Sequence, residues 1–358
     1  MTQTPFLLLG LSLAGFAAAS KPIATFEELA MLRSAPIRIT ASSEDGHAIA
    51  GVGSNGCCTS QAFRWDGTGP VQRLVPPPGQ ADSFARAISA DGQVVLVETR
   101  GQDPGRVYRW LPDGSLFALT SPDAAHSASA INSDGSLVAG TEFRPDEPDA
   151  EHAFLWSVKD GYRPLPVPGG VRSADPAFFS PDARTLHGVG YAVGAETGDV
   201  NVAVAVSWRD GRAQVHPPVL LQAAASSGDA LLSREDVERM NLNMPFAHAA
   251  DGVPMQNEWI GANADLVLGK DAASEVRLIW TRANGICRLT DWLDALGVAY
   301  PRDATLEAHL TSRDGSTLFG HSYRAADSEP VTPSRLVSQQ PLGQIRASTS
   351  PYCGAPPP

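Results

Sequence analysis

Apolar and polar positions alternate in short runs along this chain, and one arrangement of them recurs. An Ala-rich segment leads into a Ser/Asn-x-Asp-Gly turn, a β-branched run that ends in Gly, and a short segment that ends in Trp. The second copy shows the pattern most fully. Phe84 to Ser89 predicts a strand, Asp91-Gly92 a tight turn at positive φ, and Gln93 to Glu98 the returning strand. Arg106 to Trp110 then predicts a third strand, Asp113-Gly114 another turn, and Ser115 to Leu119 a fourth. Four antiparallel strands in about 45 residues cannot bury both of their faces alone, so each unit must stack on its neighbours.

The turn pairs are Asp45-Gly46, Asp91-Gly92, Asp134-Gly135, Asp182-Ala183, Asn263-Ala264 and Asp314-Gly315, with steps of 46, 43, 48, 81 and 51 residues between them. Five residues past each turn stand Gly51, Val97, Gly140, Gly188, Gly269 and Gly320, and such strand glycines mark bulges or a close backbone approach. Ser43, Ser89, Asn132, Ser180 and Ser312, two before the turn residue, suit turn capping. Trp65, Trp110, Trp156, Trp208 and Trp280 suit the widening wedge between units, where large side chains bury most area. Mostly small residues six and four before the turn suit convergence on an axis. The expectation is an all-β chain: a β-propeller of about six four-stranded blades, or seven if the long step hides a degenerate unit.

That step holds residues 222 to 255, foreign to the repeat and read as a small, partly helical insertion, with Ser233 capping a helix that runs to Met240. A second helix is expected from Asp291 to Leu296, capped by Thr290 and stopped by Gly297, burying Leu289, Trp292, Leu293 and Leu296. Ala24 to Leu32 reads as a fourth strand placed ahead of the first copy, while the last copy is short of strands. The two ends of the chain are therefore expected to pair within one shared blade.

His152-Ala153-Phe154-Leu155-Trp156, 18 residues after Asp134, resembles the His-Ala-Phe repeat of the bacterial extracellular HAF-repeat family. The resemblance extends over most of residues 26 to 337 and includes Leu289 to Gly297 followed by Thr311 to Ser316. It implies an exported, propeller-like repeat protein. It transfers no general activity, cofactor or catalytic residue.

Composition narrows the partners. Phe6 to Phe16 is an apolar run too short to span a bilayer, and with the small residues Ala17 to Ser20 it reads as a signal peptide over residues 1 to 20. A single propeller domain is then expected over 21 to 345, followed by a Pro-rich tail over 346 to 358, in a secreted or periplasmic monomer with no later membrane span. A net charge of −12 argues against a nucleic-acid partner. Cys57, Cys58, Cys287 and Cys353 are disulfide candidates, with Cys353 expected to tie the tail to the body through a partner the sequence does not identify.

No nucleophile elbow, zinc-protease helix, phosphate loop or calcium loop is present, so no cofactor, metal or catalytic residue is assigned. Gly51-Val-Gly-Ser-Asn-Gly56 fits a dinucleotide fingerprint in letters only, since no helix follows it. In a propeller, the loops that join blades and those between second and third strands share one face. That face would gather Arg38, Arg86, His126, Arg172, Asp175, Glu307 and His309, with Asp82 and the loop acids Asp146, Glu147 and Asp149 nearby. Arg38, Asp175 and Glu307 share the slot seven before the turn, and Arg86 and His309 the slot five before. The leading expectation is a non-catalytic module that binds a protein or glycan there. A polysaccharide hydrolase or lyase, which needs a His beside a carboxylate in one pocket, and a purely structural envelope scaffold are the alternatives.

Overall fold

The computed structural model describes residues 23–29, 37–54, 58–101, 105–119, 125–144, 151–180, 182–193, 201–216, 223–224, 231–232, 255–260, 265–271, 276–324, 332–346 and 353. Residues 1 to 20, expected to be a signal peptide, the expected helix at 233–240 and the Asn263-Ala264 turn lie outside them.

Within the described residues, six four-stranded antiparallel sheets form a β-propeller. Blade 1 comprises Ile37–Ser42, Ile49–Ser54, Ser60–Trp65 and Gln72–Arg73, and blade 2 Gln80–Ile88, Val95–Gly101, Arg106–Trp110 and Leu116–Ala118. Blade 3 comprises Ala125–Ile131, Leu137–Phe143, Glu151–Ser157 and Gly161–Pro164, and blade 4 Val171–Phe179, Thr185–Val193, Asn201–Arg209 and Arg212–Val215. Blade 5 is Met255–Ile260, Leu266–Asp271, Arg277–Thr281 and Gly285–Arg288. Blade 6 takes Thr305–Thr311, Thr317–Tyr323 and Thr332–Ser338 from the C-terminal region, and its fourth strand is Ala24–Glu28 from the N-terminal region. Phe26 stands opposite Leu336 in that pairing, so the two ends of the described chain close one blade. The inserted region contributes a two-stranded pair, Ala223–Ala224 with Leu231–Leu232.

Local chemistry explains why the hairpins form where they do. In blade 1 the Ser43 hydroxyl donates to the Asp45 carboxylate at 2.7 Å and accepts the Ala48 amide at 2.9 Å, while Asp45 accepts the His47 amide at 2.9 Å. Ser89 with Asp91, Ser180 with Asp182, and Ser312 with Asp314 repeat this arrangement. Gly46 has φ +70°, and a Cβ there would also lie 2.6 Å from Thr317 Cβ of blade 6. Ala183 adopts φ +57° at the same place in blade 4, a conformation disfavoured for side chains with Cβ.

Each blade's first strand carries a β-bulge at one slot, between Ile39 and Ala41, Ala85 and Ala87, Ala128 and Ala130, Pro176 and Phe178, Asn257 and Trp259, and Ala308 and Leu310. The repeat glycine sits opposite. A Cβ on Gly51, Gly140, Gly188 or Gly320 would lie 1.7 to 2.1 Å from the carbonyl oxygen of Arg38, Ser127, Asp175 or Glu307. The bulge turns the extra residue inward, and Thr40, Arg86, Ser129 and Ala177 line a central channel of about 400 Å³ with Ala41, Ala87, Ala130, Phe178 and Leu310.

Trp65, Trp110, Trp208 and Trp280 are buried between or within blades. Apolar clusters join blades 6 and 1, 1 and 2, 2 and 3, 3 and 4, and 5 and 6. The helix α1, Leu289–Ala295, buries Leu289, Trp292, Leu293 and the following Leu296 against blades 5 and 6. It begins earlier than expected: Arg288, not Thr290, holds the N-cap position, with no side-chain cap bond. Burial of Leu289 and Trp292 anchors that end instead. Gly297 stops it at φ +69°, with Gly297 N–H donating to Asp294 O and Val298 N–H to Leu293 O.

Cys353 bonds to Cys287 on the last strand of blade 5, which identifies the partner of the tail cysteine. Cys58 is free and exposed.

Candidate functional site

At the face holding the blade-to-blade loops, blades 6, 1 and 2 frame a cleft of about 880 Å³ lined by Arg38, Thr40, Cys58, Thr59, Ser60, Phe84, Arg86, Arg100, Glu307, His309 and His321, among others. Thr40 and Arg86 also line the central channel, so the cleft opens into it. The far end of the channel is narrowed by the hairpin turns. Asp314 N–H donates to Glu44 O, Glu44 N–H to Ala90 O and Ala90 N–H to Ser133 O, while Arg313 of blade 6 reaches Ser133 Oγ of blade 3 at 2.9 Å.

The repeat itself populates the cleft. Arg38, Phe84 and Glu307 occupy the slot seven before the turn, and Thr40, Arg86 and His309 occupy the bulge slot. Four of the residues expected at this face, Arg38, Arg86, Glu307 and His309, therefore meet in one place.

On the blade 2 side, Glu98 is 2 % exposed. It accepts from Arg86 Nε at 3.1 Å, Arg100 Nε at 2.8 Å and Ser127 Oγ at 3.2 Å. Burial pushes the Glu98 carboxyl up, but the Arg86 and Arg100 bonds outweigh it and hold the group below its ordinary value. The same two guanidinium groups flank the Phe84 ring, each 5.3 Å from its centroid. Glu98 thus fixes two cations and an aromatic ring at the cleft wall.

On the blade 6 side, His309 Nε2 lies 2.7 Å from His321 Nδ1, and His321 Nε2 lies 2.9 Å from the Ile37 carbonyl oxygen. A carbonyl only accepts, so His321 carries its proton on Nε2 and presents a lone pair at Nδ1. His309 must then donate from Nε2, which leaves its own Nδ1 lone pair without a hydrogen bond among the described residues. Burial, reinforced by His321, Arg277 and Arg38 against the pull of Glu307, lowers His309 to about 4, and burial likewise lowers His321. Both rings are neutral near pH 7. Arg277 pairs with Glu307 at 3.1 Å. Arg38 is exposed and makes no ion pair among the described residues.

The other expected residues lie elsewhere. His126 is buried in blade 3, 3.8 Å from Glu142 and edge-on to Phe154 and Tyr162. Asp175 of blade 4 pairs with Glu151 of blade 3: burial, then the hydrogen bond to Glu151, pushes Asp175 up to about 7. Arg172 is exposed on blade 4 and lines no part of the cleft. Asp82 caps the Ser60 amide at 2.6 Å, while Asp146, Glu147 and Asp149 lie outside the described residues.

Sequence reasoning missed Phe84, Glu98, Arg100, Arg277 and His321. Glu98 had a signal, as a carboxylate that ends the apolar run Val94 to Val97. His321 follows the repeat glycine Gly320 and stands opposite Glu307, a relation visible only once the strands are in register.

No protein-family model matches the chain, and no curated protein matches it. Among solved structures, the chain is similar to TolB from Acinetobacter baumannii at 14 % identity and TM-score 0.40, covering 88 % of this chain and 58 % of that one. It is similar to the β-propeller domain of the Trilobed protease from Pyrococcus furiosus at 10 % identity and TM-score 0.40, covering 84 % and 82 %. A streptogramin B lyase structure aligns at 15 % identity and TM-score 0.46, covering 88 % and 98 %. The chain spans less than two thirds of the TolB length.

Proposed function

We propose that this chain is an exported propeller that binds an acidic glycan in the cleft framed by blades 6, 1 and 2. One observation carries the reading. In a chain of net charge −12, Arg38, Arg86 and Arg100 line one cleft in which Glu307 is the lone carboxylate among the described lining residues; Glu98 pairs with Arg86 and Arg100, Arg277 pairs with Glu307, and Asp82 is held by the Ser60 amide. Neutral histidines add no charge there. Arg86 and Arg100 keep N–H groups beyond those held by Glu98, and Phe84 offers an apolar ring between them.

Export is supported by the signal-like residues 1 to 20 and by the Cys287–Cys353 disulfide, a bond that persists in oxidising compartments. We retain the HAF-repeat relationship as part of this proposal. A scaffold with no ligand calls for no such cleft.

The experiment is calorimetric titration of the full chain with polygalacturonate, alginate and neutral glucan. The expected result is binding of the acidic polymers that weakens as salt is added, with none of the glucan. Arg38→Ala should reduce affinity about tenfold, the loss of roughly one charge-assisted hydrogen bond. Equal binding of neutral and acidic polymers, or binding only of acidic proteins from a panel, overturns the reading.

A second reading, catalysis in the same cleft, is favoured by His309, whose Nδ1 makes no hydrogen bond among the described residues and whose Nε2 lies 3.6 Å from Glu307 Oε2.

A further inference from the structure

We infer that the cleft is a lyase site, in which His309 removes the proton from the carbon next to a uronate carboxylate seated on Arg38 and the glycosidic bond breaks by β-elimination. The inference rests on the acidic-glycan reading above and adds a reaction to it.

The geometry supplies each part. His309 stands in the bulge slot of blade 6, so the strand irregularity that points Arg86 inward from blade 2 points this imidazole into the cleft as well. The proton on its Nε2 is committed to His321, which is itself locked by the Ile37 carbonyl across the junction of blades 6 and 1. Ring orientation and tautomer are thereby fixed. The one basic nitrogen left, Nδ1, belongs to a residue lining the cleft. A general base needs a lone pair held within reach of the substrate and a partner that sets its tautomer.

The charged groups facing the pair come from three blades: Glu307 of blade 6, Arg277 of blade 5 against Glu307, and Arg38 of blade 1. Arg86 and Arg100 of blade 2 line the cleft and are tied to Glu98. Arg38 alone of these cations makes no ion pair among the described residues. A carboxylate on Arg38 has part of its charge neutralised, which acidifies the neighbouring C–H. Its negative charge also offsets the cations that hold His309 neutral, so the imidazole becomes a stronger base when substrate is in place.

The step balances without a co-reactant. The C5–H proton passes to His309 Nδ1, the released electron pair forms the C4=C5 double bond, and the C4–O bond breaks. The departing sugar oxygen keeps that bond's electrons and takes the proton from the imidazolium, which returns to neutral. No water is consumed, so the product is an unsaturated uronate rather than a hydrolysed end. His309 is the catalytic residue, and His321 is a positioning residue.

The test incubates the full chain with polygalacturonate, alginate and hyaluronan. It follows the ultraviolet absorbance of the conjugated double bond and product mass, with binding titrated in parallel. The expected result is an unsaturated product from at least one polymer. His309→Gln should bind that polymer within about twofold of the parent but lose about 10²–10⁴ in rate, the usual contribution of a positioned proton acceptor. Added imidazole should restore part of the rate to His309→Ala. His321→Asn should lower kcat and shift its pH profile while leaving KM nearly unchanged.

Binding without product from all three polymers overturns the lyase inference and leaves acidic-glycan binding standing. No binding at all overturns both. Undiminished turnover in folded His309→Gln, checked by circular dichroism, overturns the assignment of the base.

Discussion

His309 and Asp175 are both neutral when protonation is least expected of one and most expected of the other, and they tie stability to pH in opposite senses. His309 is lowered to about 4 in the folded chain against an ordinary 6.5, so the unfolded chain binds the extra proton first and stability falls as pH drops from about 6.5 toward 4. The ring resonances of His309 should stay those of neutral imidazole down to about pH 4 in an NMR titration, and charging near pH 6.5 would refute the buried relay. Asp175 is raised to about 7 from 3.8, so the folded chain holds the extra proton and stability falls as pH rises from about 4 through 7. Asp175→Asn, which can still donate to Glu151, should melt above the parent at pH 8 and converge with it at pH 5. Equal melting temperatures at pH 8 would show that the two carboxyls do not share a proton.

Within a blade, the turn, the bulge and the glycine act as one device. Ser-x-Asp fixes the hairpin, the bulge swings the residue five before the turn toward the axis, and the glycine opposite leaves room for the displaced carbonyl. Gly140→Ala would place a Cβ 2.0 Å from Ser127 O, and should cost roughly 1–3 kcal/mol by chemical denaturation, as overpacking does. Blade 2 carries Val97 at this slot, fully buried opposite Ala85, so the close approach is a property of individual blades. Between blades, the guanidinium of Arg64 lies over Trp110, Arg109 over Trp156 and Arg335 over Trp65. The Trp positions were legible as packing sites. That Arg64 and Arg109, each just before a Trp, cover the next blade's Trp, and that Arg335 of blade 6 covers Trp65, was not, because strand spacing does not say which blades adjoin.

Across the whole molecule, closure depends on two long-range ties. Ala24–Glu28 completes blade 6, and deleting the residues before Leu29 should expose the Thr332–Ser338 edge and make the protein aggregate, read by light scattering. The Cys287–Cys353 bond closes a separation of 66 residues and in the chain-entropy account contributes about 4 kcal/mol. Cys353→Ser should lower the melting temperature, and an unchanged one would show that the tail carries no stability.

Sequence alone determined the repeat, the turn chemistry, the apolar wedges and the pairing of the chain ends, because each rests on contacts within a hairpin or on a period that survives in one dimension. It also placed Arg38, Arg86, Glu307 and His309 in slots that face one way. Only the tertiary structure decided that these four meet while His126, Arg172 and Asp175 do not. The relay makes the reason plain: His321 finds its acceptor at Ile37, 284 residues away, and only ring closure brings blade 6 against blade 1. Side-chain chemistry is written locally, but its convergence depends on which blades the closed ring makes neighbours.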